Sequence, residues 1–106
     1  MMAPISSLPR ETREGLRVYS KLLFGNRDRL DVAVAVAQAA DRVVNATDIG
    51  FELRLAPNRV RAQLEAFAAL GYLTDSSPGF GGKRWFIRGE SPFWSLCLAL
   101  YEERRR

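Results

Sequence analysis

The sequence predicts a mainly α-helical domain with one small β-hairpin. Apolar residues recur at helical spacing in several separate stretches. Proline and glycine stand where helices start and stop, and one turn-rich stretch near residue 80 leads into period-two alternation. Residues 1–6 are expected to be a flexible N-terminal lead and residues 7–106 one domain. A chain of this size buries roughly 60–70% of the surface it exposes when unfolded, enough for a core without covalent staples.

Ser7 is placed to cap a first helix whose opening turn holds Pro9, where the missing amide hydrogen does no harm. Leu16, Tyr19 and Leu23 then give one apolar face up to about Phe24, and Gly25-Asn26 is a stop signal. From Asp28 to Ala40 two periods compete. Val32, Val34 and Val36 alternate as in a strand, but the residues between them are alanines, so no polar face alternates with them. The length without turn chemistry favours a largely buried central helix. Arg42-Val43-Val44 suits a very short strand. Asn45 and Asp48 form a capping pair for a short helix carrying Ala46, Ile49 and Leu53 on one side. Leu55-Ala56-Pro57 makes a tight turn, and Pro57 opens a helix with Val60, Leu64 and Phe67 inward, ended by Gly71. Tyr72-Leu73-Thr74 and Lys83 to Arg88 form the hairpin, with Trp85 and Ile87 on one face and Arg84, Phe86 and Arg88 on the other. Ser91-Pro92 starts a last helix to about Glu103, and its arginine-rich end complements the helix dipole.

The chain has 106 residues, a formal net charge of +4, no histidine and a single cysteine, Cys97. Those counts exclude an intrachain disulfide and histidine-based catalysis, and leave a soft metal almost no ligands. No phosphate loop or nucleophile–base pair is visible, so no enzymatic activity, metal or cofactor is expected. The longest apolar stretch, Val32–Ala37, falls far short of the ~18 residues that span a membrane, and no secretory signal is evident. A cytoplasmic protein is expected, and Asn45-Ala46-Thr47 reads as a chance sequon. Arginine far outnumbers lysine and alanine is abundant, as in GC-rich bacterial genomes.

Two short helices joined by a tight turn and followed by a hairpin make a helix-turn-helix with a wing. Over Phe24 to Leu73 the sequence resembles the small winged helix-turn-helix regulators of bacteria, of the ArsR-like and MarR-like groups. Asp48 to Leu55 resembles the first helix of the motif and Ala56 to Leu64 the recognition helix. Phe67 with Leu70-Gly71-Tyr72-Leu73 resembles the passage into the wing. The chain departs from the pattern at Gly50, where a small alanine is more usual, and at Phe51, where a polar residue is. It also lacks the cysteine and histidine ligands of the metal-sensing members, so no metal response is expected.

The resemblance implies a DNA-binding transcriptional regulator, a dimeric repressor that reads the major groove with helix 57–70. The wing, residues 75–84, would meet the backbone or minor groove. The implied DNA contacts are Asn58, Arg59, Arg61, Ala62 and Gln63 on the helix and Lys83 and Arg84 on the wing. Arg61 would read guanine, Asn58 adenine, and Arg59 would hold a phosphate. Standing alone, the same arginines read as solvated surface charges. Arg13, Arg17 and Lys21, at i, i+4 and i+8, are either a solvated face or a phosphate stripe. Phe80 is either tucked onto the sheet or exposed.

The last helix has an apolar arc of about 200°, twice the ~100° a helix on one core needs. The surplus points to helices at both termini joining in a homodimer, through Leu16, Tyr19 and Leu23 of the first and Phe93, Trp94, Cys97, Leu98 and Tyr101 of the last. The alternative is that the N-terminal segment and the wing cover the arc within one chain. Cys97 reads as a buried core thiol. A winged helix serving as a protein-interaction module, without specific DNA binding, is the competing functional expectation. Whether a small-molecule effector exists is not legible.

Overall fold

The computed structural model describes residues 2–76 and 83–105. They form a mainly helical body with a small three-stranded antiparallel sheet. In chain order come α1 (Arg10–Phe24), α2 (Arg29–Gln38), β1 (Val43–Val44), α3 (Ala46–Leu53), α4 (Pro57–Ala69), β2 (Leu73–Asp75), β3 (Phe86–Arg88) and α5 (Pro92–Arg105). Among the described residues no helix is long and apolar enough to cross a membrane.

α2 is the axle of the fold. Every residue from Leu30 to Val36 is buried, so the alternating valines are one helix wrapped on all sides by α1, α3, α4 and α5. Among the described residues, one side chain from elsewhere in the chain caps the C-terminal end of α2. Arg88 Nη1 donates to the carbonyls of Val36, Ala37 and Ala39 at 2.6, 3.2 and 3.2 Å, satisfying oxygens that the helix itself cannot.

The sheet holds one strand more than a hairpin. Its order is β1-β3-β2, with Val44 opposite Phe86 on one side of β3 and Thr74 opposite Ile87 on the other. β1 therefore ties the segment before α3 to the hairpin. Phe86 is buried and Ile87 faces outward, as period-two alternation requires.

Several local signals meet their expected partners. Gly25 ends α1 in the left-handed region at φ 76°, its amide donating to the Lys21 carbonyl at 2.9 Å. Asn45 caps α3 by accepting from the Asp48 amide at 2.8 Å, and its own amide group donates to the Asp48 carboxylate at 2.8 Å. Pro57 occupies the first turn of α4. The first helix starts later than expected. Ser7 belongs to a 3-10 turn, Ile5–Ser7, and Pro9 precedes α1.

The N-terminal segment differs from the expected flexible lead. Ile5 is buried, and its amide donates to Gln38 Oε1 at 2.9 Å. The Ala3 carbonyl accepts from Gln38 Nε2 at 2.9 Å and from the Tyr101 hydroxyl at 2.5 Å. This return of the chain explains a second correction. Leu16, Trp94, Cys97 and Tyr101, expected at a dimer interface, lie in the chain's own core, while Tyr19, Phe93 and Leu98 are partly buried against it. One side of α5 lies on α2, and the N-terminal segment meets Tyr101. Phe67, Tyr72, Phe93 and Trp94 form an aromatic cluster in which Phe93 stacks on Tyr72 at 4.4 Å and Phe67 meets Trp94 edge-on at 5.6 Å. Trp94 Nε1 donates to the Gly89 carbonyl at 3.1 Å.

The stripe Arg13, Arg17, Lys21 is also corrected, because its first two members point inward. Arg13 Nη2 donates to the buried Asp31 carboxylate at 3.0 Å and to the Leu53 carbonyl at 3.3 Å. Arg17 lies 3.6 Å from Asp28. Burial pushes the Asp31 carboxyl above its ordinary value of 3.8, against the pull of the Arg13 guanidinium. The folded state thus holds this proton more firmly than the unfolded chain does. The resulting contribution to stability is full below 3.8 and lost as pH rises through the folded value.

Two outcomes follow from this packing. Arg13→Met strips the buried Asp31 of the guanidinium that pairs with it, which costs about 3–5 kcal/mol, whereas Asp31→Asn keeps shape and an acceptor without a charge to desolvate and costs less. Urea denaturation at neutral pH measures both. Burial pushes the Cys97 thiol up to about 12, so a thiol reagent at pH 8 is expected to label the native protein no faster than the chain opens.

Candidate nucleic-acid interface

The candidate surface is built on α3, α4 and the three residues between them. Leu53 is the last residue of α3, and Arg54 turns the chain through the left-handed region at φ 58°. This is an unfavourable conformation for a residue with a side chain. The Leu55 amide donates to the Gly50 carbonyl at 2.9 Å. A β-carbon at Gly50 would stand 2.7 Å from the Leu55 carbonyl oxygen. Glycine at this position is therefore what lets the turn fold back on α3, and the departure noted in the sequence has a steric cause.

α4 then presents two faces. Val60, Leu64 and Phe67 are fully buried. Asn58, Arg61, Ala62 and Glu65 lie on the opposite, exposed side, with Asn58, Arg61 and Ala62 in the N-terminal half. The Arg61 side chain makes no hydrogen bond or ion pair among the described residues, and neither does that of Arg54.

The remaining sequence-assigned contacts are distributed differently. Gln63 is buried, accepting from Arg29 Nε at 3.1 Å and donating to Asn26 Oδ1 at 3.1 Å. It locks α4 to the loop before α2 and faces no groove. Arg59 grips Asp28 through two hydrogen bonds, 3.0 Å from Nε and 2.6 Å from Nη2. That contact raises its pKa further and makes it a strut between α4 and α2. Arg84 is held by Asp75 and by Glu65, the latter at 2.8 Å, and these hydrogen bonds raise its pKa. Lys83 stands 3.8 Å from Asp48 and 5.9 Å from the centre of the Trp85 ring. Residues 77–82 of the expected wing, Phe80 included, lie outside the described residues.

Two exposed residues complete the surface. Arg54 was not among the sequence-assigned contacts. Its only signal was its place after Leu53, where a glycine or asparagine would be usual. Phe51 is 87% exposed on α3, a large apolar ring that no described residue covers.

Comparison with protein-family models, with curated proteins and with solved structures returns no match for this chain.

The turn is testable through its glycine. Gly50→Ala pushes a methyl group into the Leu55 carbonyl and is expected to destabilise the fold by about 1–3 kcal/mol. Alanine elsewhere in a helix stabilises relative to glycine, so the sign of the change in melting temperature decides the matter.

Proposed function

We propose that this chain is a DNA-binding transcriptional regulator of the winged helix-turn-helix type. It enters the major groove with the outward N-terminal half of α4 and acts as a homodimer that represses by occluding a promoter. The observation that carries the reading is the pairing of Asn58, Arg61 and Ala62 with Arg54 of the turn. Asn58, Arg61 and Ala62 share the exposed side at the start of a helix whose other face is packed, Arg54 is exposed in the turn just before it, and both arginines are left without an acid partner among the described residues. Residues near a helix N-terminus are the ones that reach base edges when a helix lies in the groove. The element order and the hairpin that follows α4 support the same reading.

Roles follow from the chemistry of each side chain. Arg61 presents the fork that matches guanine, and Asn58 the amide that matches adenine. Arg54 supplies a charge for phosphate, which positions the helix without reading sequence. Arg59, Gln63 and Arg84 hold these elements in place through the contacts given above. Lys83 is the basic residue of the hairpin available to a phosphate once it leaves Asp48.

A second reading has its own observation. Phe51 is 87% exposed and Arg84 is taken up by Glu65 and Asp75, which suits a protein-interaction surface. Selection of fragmented bacterial DNA at about 50 and 200 mM salt separates the two, because phosphate contacts make affinity fall steeply with salt. Enrichment of an inverted repeat that fades with salt supports the regulator. No retention at low salt favours the protein-interaction surface. With the selected site in hand, Arg61→Ala is expected to cost about 1–3 kcal/mol and to flatten preference at one base position. Arg54→Ala weakens all sequences alike and lowers the salt slope by about one. Fluorescence anisotropy on matched and mismatched duplexes reads both.

A further inference from the structure

The outer face of α1 has no partner among the described residues. Glu11, Gly15, Val18 and Leu22 follow one another at spacings of four, three and four, so they share one side of the helix. The buried residues Leu16 and Ser20 lie on the opposite side. Leu22 is 82% exposed, and Val18 and Leu23 are each 49% exposed. Gly15 stands inside the helix, where glycine weakens it, yet a β-carbon there would meet nothing within 4 Å. Nothing among the described residues explains the glycine.

The edge of this face carries Glu14 and Lys21. The Lys21 ammonium reaches only the Gly25 carbonyl, at 3.3 Å, and no carboxylate among the described residues. Glu14 is met by Arg17 and Arg27, and its side chain stays 52% exposed.

We propose that this face is covered by α1 of a second copy of the chain, crossing antiparallel about a twofold axis at Val18. Val18 then meets the partner's Val18, and Gly15 lies opposite the partner's Leu22, a small residue receiving a large one on both sides of the axis. Glu14 lies beside the partner's Lys21, and this opposite-charge pair occurs twice. A parallel pairing instead sets Leu22 against the partner's Leu22 and Gly15 against the partner's Gly15, crowding one end and opening the other. The assignment deepens the proposed reading of a twofold DNA reader. It rests on that reading only for its purpose, since the pairing is measured without DNA.

The test uses the full chain. Sedimentation over a concentration series is expected to show a monomer–dimer equilibrium. Lys21→Glu weakens it roughly tenfold by placing like charges across the axis, and the double variant Glu14→Lys, Lys21→Glu restores it. Val18→Cys is expected to give a disulfide-linked dimer under mild oxidation, while Thr47→Cys, exposed on α3, does not. All these positions except Glu14 are free of ion pairs, and circular dichroism checks that each variant stays folded. A monomer at every concentration overturns the pairing. So does a dimer in which Val18→Cys links no faster than Thr47→Cys, or in which the double variant restores nothing. A dimer with the expected signature that retains no DNA leaves the pairing standing and ends the DNA reading. A monomer that still selects DNA does the reverse.

Discussion

Two carboxylates at the start of α2 hold the arrangement of the helices. Asp31, fully buried, takes Arg13 from α1, and Asp28 takes Arg17 from α1 and Arg59 from α4. Arg13 also reaches the last carbonyl of α3, so four helices meet at one charged cluster. Apolar packing is nearly indifferent to small rotations of one helix on another, but a guanidinium that has left water tolerates very little error in its partner's position. The cluster is not free of cost. Asp31 Oδ1 and Arg17 Nε have no hydrogen-bond partner among the described residues, and Asp31 is pushed towards its neutral form. Its contribution is to geometry more than to net stability.

A second polar layer extends the same constraint to the candidate interface. Ser20 donates to the Asn26 carbonyl and accepts from the Leu30 amide. Asn26 in turn accepts from the Asp28 amide and from Gln63 of α4. With Arg59 on Asp28, the helix presenting Asn58 and Arg61 is held on its inner side at two points. Gly50 then sets how closely the turn approaches α3. A surface that reads base edges needs its side chains placed to a fraction of an ångström, and these buried contacts are of the kind that provide it.

The charge of the chain takes on a different meaning in this light. A net charge of +4 suggests a basic surface, yet many of the arginines are spent within the fold. Arg13, Arg17 and Arg59 brace helices, Arg88 caps α2, and Arg84 is bound by two acids. Arg104 lies over the Tyr19 ring at 4.4 Å. The cations left without an acid partner among the described residues include Arg54 and Arg61 at the turn and α4, and Arg10 and Lys21 on α1, so what meets a partner depends on where each stands and not on the total charge.

Features that depend on neighbours along the chain can be read from residue order. The Asn45 cap, the Gly25 stop, Pro57 at the start of α4 and the inward row Val60, Leu64, Phe67 were legible because each acts within one or two helical turns. The central helix was legible too, since its length without turn chemistry and the alanines between its valines outweigh the strand-like alternation. Long-range contacts were decided by tertiary structure alone. A helical wheel could not show that residues 2–6 return to meet Tyr101 and Gln38, so the arc of α5 looked unpartnered when most of it was core. Nor could spacing tell that Arg13 and Arg17 face two aspartates, that Gln63 turns inward, or that β1 joins the hairpin. A charged or amide side chain is equally at home in water and beside a buried partner, and only the folded chain supplies the partner.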